Sequence, residues 1–106
     1  MNPAREEDEA RRYAWQAVQE SIPRGRVRIR VLGTCSMPVQ GYRANLTRAP
    51  FQSSNPNILN LTFQLEVAPA APSGRNAVAY EETGSRRYKL VSIQPGAIDI
   101  SVQDEI

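Results

Sequence analysis

The sequence predicts an α+β domain: an N-terminal helix packed on a curved antiparallel sheet of about five to six strands. Three observations carry this. Residues 3–22 place apolar side chains at helical spacing in a charged background. From residue 26 the apolar period falls to two, and stretches rich in Pro, Gly, Ser and Asn separate the alternating runs. Alternation of that kind buries one sheet face and wets the other, as antiparallel sheets commonly do. A mainly-β sandwich with the helix at its edge meets the same pattern and is the competing architecture. With 106 residues, the chain suits one domain, 1–106, with a thin core.

The helix is read over residues 3–22. Asn2 suits the N-cap and Pro3 the first helical position, while Glu6, Glu7 and Asp8 lie at the positive end of the helix dipole. Glu7 with Arg11 and Asp8 with Arg12 are i,i+4 pairs in the favourable order. Tyr13, Ala14, Ala17, Val18 and Ser21 form a weak, Ala-rich stripe, with Trp15 and Ile22 at its margin, and Pro23 and Gly25 end the helix.

Antiparallel strands then fill residues 26–103. Val27, Ile29 and Val31 alternate with Arg26, Arg28 and Arg30, in a strand that ends near Gly33. Tyr42, Ala44 and Leu46 mark a second strand. Leu59, Leu61, Phe63, Leu65 and Val67 mark a third, the clearest. Residues 77–82 and 87–93 flank Thr83-Gly84-Ser85 and read as a hairpin, and Pro95-Gly96 turns the chain into a last strand through Ile98, Ile100 and Val102. Leu61, Phe63 and Leu65 are expected at the centre of the core, with Ala14 and Val18 of the helix packed over them.

Chemistry is bounded mainly by what the chain lacks. Without His there is no Ser-His or Cys-His pair, and the usual zinc ligand sets are missing. Cys35 follows a strand, with no helix N-terminus beside it, and reads as a small half-buried apolar side chain. Glu66, Glu81, Glu82 and Asp99 lie on strand segments, where a solvated face is their usual home. The glycines are scattered singly, so no phosphate-binding loop is visible. These observations point to a protein that is not an enzyme and takes no cofactor or metal. The N-terminus is acidic where a signal peptide would be basic, and no apolar run is long enough for a membrane span, so a cytoplasmic protein without membrane contact is expected.

Charge placement offers the one contrast. Residues 21–65 hold six arginines and no acid, between two acidic ends, although the net charge is only +2. The candidate binding surface is therefore Arg24, Arg26, Arg28, Arg30 and Arg43, together with Phe51, set in the polar loop 50–57. Two readings of the Arg stripe compete. It pairs internally with acids of neighbouring elements, which is the preferred reading, or it serves an anionic partner. Phe51 is either tucked under its loop, the commoner outcome for such a residue, or exposed as an anchor. The expected function is a non-catalytic protein-interaction module, with an anionic-ligand or RNA-binding module using residues 24–48 as the alternative. An unpaired edge strand would allow a homodimer.

Overall fold

The computed structural model describes residues 3–36, 40–68 and 76–105. The loop expected around residues 68–76 lies largely outside them. One short helix, α1 (Pro3–Arg11), precedes seven strands: β1 (Ala14–Ile22), β2 (Arg26–Cys35), β3 (Tyr42–Arg48), β4 (Ile58–Val67), β5 (Asn76–Gly84), β6 (Leu90–Gln94) and β7 (Ile98–Glu105). The chain is thus mostly β. All seven strands form one sheet, in the order β3-β4-β6-β7-β1-β2-β5, which curls until its two edges approach each other. The β1–β7 and β4–β6 pairings are parallel and the other four antiparallel, so the sheet is mixed.

Three expectations are corrected. The helix of residues 3–22 is half helix and half strand: α1 stops at Arg11, and Ala14–Ile22 is a central strand between β2 and β7. Tyr13, Trp15, Ala17 and Gln19 share its inner phase, and the buried polar Gln19 breaks the apolar alternation that would have marked a strand. An Ala-rich stripe holds a helix only weakly, whereas β1 gains ladder hydrogen bonds on both sides. Ala14 and Val18 accordingly lie on the outer phase, and among the described residues no helix crosses the sheet face. The sheet has seven strands rather than five to six, since Ala14–Ile22 adds one, and it is antiparallel in four of its six pairings; β1–β7 and β4–β6 are parallel because distant connections rather than hairpins bring them side by side. Residues 77–82 and 87–93 form no hairpin: β5 pairs with β2, while β6 lies between β4 and β7.

The core fills the inside of the curled sheet. Ile29, Val31, Leu59, Leu61, Phe63, Val91 and Ile93 are its largest fully buried side chains. Inner rows run across the strands, as in Val102, Ala17, Val31 and Tyr80. Phe63 meets the edges of Tyr13 and Trp15, with ring centroids 5.4 and 6.1 Å away, and these two stack at 5.5 Å. Gly33 makes room for the Trp15 ring, since any Cβ there would penetrate it.

Helix α1 covers one end of the barrel. Leu65 lies beyond the last residue that β4 pairs with β6, and its N–H donates instead to Glu6 Oε2 at 2.8 Å. Arg5 lies 5.0 Å from the Tyr42 ring centre. Arg11 donates to Glu7 at 3.0 Å and to the Gly96 carbonyl at 3.4 Å. Gly96 has φ 96°, and a Cβ there would strike Glu7, so the β6–β7 turn needs glycine twice over.

Phe63→Ala is expected to lower stability by about 3–5 kcal/mol through cavity formation. Gln64→Ala, on the exposed outer phase of the same strand, should stay within about 0.5 kcal/mol. Chemical denaturation of both variants checks the assignment of the two faces.

Candidate functional site

The wall of the barrel neutralises its own arginines. Arg28 stands opposite Glu20 across β1–β2, and its Nε and Nη2 donate to Glu20 Oε1 at 2.8 and 2.6 Å. That hydrogen bond and the carboxylate charge raise the Arg28 pKa above its ordinary value. Glu81 adds a contact to Arg28 at 3.6 Å. Arg30 reaches Glu20 at 3.8 Å and Glu105 at 3.5 Å. Arg43 faces Glu66 in register, 3.7 Å away. A groove of about 400 Å³ crosses this wall, with Val18, Leu32 and Ala79 among its apolar lining and Arg30, Glu81 and Glu105 as its charged groups.

Between the edges of β3 and β5 the barrel is clasped by side chains. Arg48 Nη1 donates to Glu82 Oε1 at 2.8 Å, and the Tyr80 hydroxyl donates to the same oxygen at 2.6 Å. The Tyr88 hydroxyl donates to Glu82 Oε2 at 3.2 Å. Hydrogen bonding to Tyr88, and then to Glu82, outweighs partial burial and holds the Arg48 pKa above its ordinary value. Burial, followed by the Glu82 hydrogen bond and charge, pushes the Tyr80 pKa up to about 12. Both carboxylate oxygens are engaged, so the cluster acts as a clasp rather than as an open acid–base pair. Glu66, Glu81 and Asp99 are exposed, and Cys35 is buried at the end of β2. Among the described residues no group of three or more Cys, Asp or Glu side chains is placed to hold a metal.

The end of the barrel opposite α1 differs from the wall. Strand direction brings three connections there: the turn 23–25, the loop 49–57 and the segment 85–89. Hydrogen bonds tie segment 85–89 to β1, β7 and the loop 49–57. The buried Gln19 carboxamide donates to the Tyr88 carbonyl at 2.8 Å and accepts from the Tyr88 N–H at 3.0 Å. Arg87 bridges Asp104, at 3.1 Å, and the Ser21 hydroxyl. The Lys89 N–H donates to the Asn57 carbonyl at 2.8 Å, joining this segment to loop 49–57.

That loop is fixed from within. Gln52 Nε2 donates to the carbonyls of Ala49 and Asn60 at 2.8 and 2.9 Å, and its Oε1 accepts from the Asn60 N–H at 3.0 Å. Asn55 Oδ1 accepts from the Asn57 N–H at 3.0 Å, closing an Asx turn. On this fixed loop Phe51 is 87% exposed. Around the same end stand Arg24, Arg26, Arg86 and Lys89, all exposed and without an ion pair among the described residues.

Of the candidate residues, Arg24, Arg26 and Phe51 lie at this same end. Arg28 and Arg30 are engaged on the wall, and Arg43 lies near the other end. Arg86 and Lys89 complete the site and were not singled out by sequence reasoning. Their signal was the run Arg86-Arg87-Tyr88-Lys89, which strand periodicity had partly absorbed into a hairpin. No protein-family model, curated protein or solved structure matches the chain. Among the described residues no helix is long and apolar enough to cross a membrane.

The clasp makes a pH-dependent contribution with a definite sign. A phenol whose folded pKa is raised binds its proton more tightly in the native state, so its stabilisation is complete below the unfolded value near 10 and declines as pH rises towards about 12. Denaturation of the parent and of Tyr80→Phe across this range should show a stability difference that shrinks with rising pH. A constant difference would mean that Tyr80 ionises like a free phenol.

Proposed function

We propose that this protein is a non-catalytic protein-interaction module that holds its partner at the end built by loop 49–57, with Phe51 as the anchor. The observation that carries this reading is a fully presented aromatic side chain on a loop fixed by its own polar residues. Large apolar side chains bury when they can, and leaving one in water forgoes roughly 1.5–3 kcal/mol. Flexible loops fold over such a side chain, whereas here Gln52 holds the backbone and leaves the ring outside. Aromatic anchors entering a partner's pocket dominate many interfaces, and a loop already ordered loses little entropy on binding.

The non-catalytic reading is supported by the placement of the carboxylates, which are spread over the outer wall, closed into the clasp, or carried by α1, where Glu6, Glu7 and Glu9 engage Leu65, Arg11 and Arg12. An anionic-ligand or RNA-binding role for residues 24–48 is weakened by the pairing of Arg28, Arg30, Arg43 and Arg48 with acids of this same chain. The fitting partner is another protein, bound through a segment that offers a pocket to Phe51.

A random peptide display library selected on the immobilised protein provides the test. Enriched peptides, titrated by calorimetry, should bind Phe51→Ala about thirtyfold more weakly, the size of a 2 kcal/mol hot spot. The thermal midpoint of the variant should be unchanged, because the ring packs on nothing it would destabilise. Leu32→Ala, in the wall groove, should bind as the parent does. Peptides that bind parent and Phe51→Ala equally would overturn the reading.

A further inference from the structure

We infer that the partner segment engaging this end is acidic: a stretch of protein chain that carries several carboxylates around an apolar side chain. This rests on the binding role proposed for Phe51 and adds the chemistry of what binds. The argument begins with where unpaired positive charge remains. Arg11, Arg12, Arg28, Arg30, Arg43, Arg48 and Arg87 each lie within 4 Å of a carboxylate, and Arg5 covers Tyr42. Arg24, Arg26, Arg86 and Lys89 are the described cations left over, and all four surround the end that presents Phe51.

The described acids that reach this end are engaged. Glu82 holds Arg48, Asp104 holds Arg87 and accepts from Gln19, and Glu105 faces Arg30. A surface kept at near-neutral balance would alternate signs here as the wall does. Instead four like charges share one end: Arg24 in the β1–β2 turn, Arg26 at the start of β2, and Arg86 and Lys89 on the segment that Gln19 and Asn57 hold, and an acidic partner removes their repulsion on docking. Three of the four are arginines, whose planar fork takes a carboxylate through two parallel hydrogen bonds.

A polypeptide fits better than a nucleic acid. Single-stranded nucleic acids are held by several stacking aromatics along a basic groove. Here Phe51 is the one freely exposed ring. Tyr80 and Tyr88 turn their hydroxyls into the clasp, and Tyr42 stands near the other end beneath Arg5. The arginines that could have extended the basic surface along β2 are already paired with Glu20, Glu81 and Glu105. The free charge is therefore a cap around one aromatic rather than a track.

The test uses the intact chain and three fluorescently labelled probes: a short peptide of glutamates around one central leucine, its glutamine counterpart, and an oligothymidylate of the same length. Anisotropy titrations across a salt series should show the acidic peptide binding about tenfold more tightly than the glutamine peptide at low salt, with the advantage fading as salt rises. Replacing Arg24, Arg26, Arg86 and Lys89 together by Gln should abolish that advantage, and Arg43→Gln, near the opposite end, should preserve it. If the joint variant folds poorly, Arg86→Gln and Lys89→Gln singly should each reduce the advantage about twofold. Equal binding of acidic and glutamine peptides, tighter binding of the oligothymidylate, or no binding of the acidic peptide would each overturn the inference. The ratio of acidic to glutamine peptide reads the charge, while the effect of Phe51→Ala reads the anchor, so either idea can fail separately.

Discussion

Phe63 meets Tyr13 and Trp15 across the inside of the barrel, and that meeting requires the sheet to close on itself. A single sheet with one apolar face must bury it against something, and the one described helix is a nine-residue cap at one end. The described strands all belong to one sheet. Curling until β3 and β5 approach is the remaining way to remove Leu59, Leu61, Phe63, Val91 and Ile93 from water. Small side chains make the curl feasible: Ala17 and Ala44 line the inside, and Gly33 leaves space for the indole.

Closure also explains the polar groups that lie inside. The sheet edges are joined by Arg48, Glu82, Tyr80 and Tyr88 rather than by a continuous backbone ladder, because β3 and β5 are tied through their side chains at their C-terminal ends. Gln19 takes the place of a missing strand partner for the backbone of Tyr88, and Glu6 does the same for Leu65 at the opposite end. Each is a polar side chain on an inner or end position, satisfying backbone that a closed ladder would have satisfied. Together they set which loops meet at which end.

These polar substitutes are also what made the sequence hard to read. Strands with clean alternation, β2, β3 and β4, were legible, as was the burial of Leu61, Phe63 and Leu65. The segment from Ala14 to Ile22 was not, because Gln19 occupies a core position and the inner alanine is small, so helical spacing described it equally well. Parallel pairing was invisible for a different reason: β1 meets β7 and β4 meets β6 across long separations, and alternation carries no information about direction. At the candidate site Arg24, Arg26 and Phe51 were visible as residue types. What distinguishes them from Arg28 and Arg30 is the presence of a carboxylate across the strand, which depends on register. Arg86 and Lys89 belong to the site only because Gln19 and Asn57 hold their segment there.

The division between wall and end gives a nearly neutral chain a directional surface. On the wall, strand pairing sets Glu20 against Arg28 and Glu81 against Arg30, so each cation is met by an acid whose position the ladder has already fixed. Such pairs cost little additional side-chain entropy and leave no net field to attract a partner. Arg24, Arg86 and Lys89 lie outside this ladder, and Arg26, on its first rung, faces Ile22 rather than an acid. Among the described residues, pairing on the wall leaves the cations without an ion pair gathered at one end, apart from Arg5 over Tyr42, rather than diluted over the surface. A positive field confined there acts over about a Debye length, ~8–10 Å at moderate salt, and in the proposed role it would orient an approaching acidic chain before contact. In that role Phe51 would supply the short-range, desolvating contact that charge alone cannot. The hydrogen bonds of Gln52, Asn57 and Gln19 order the loop of Phe51 and the segment of Arg86 and Lys89, so the proposed anchor and half of the proposed charge rest on the same polar groups that complete the curled sheet.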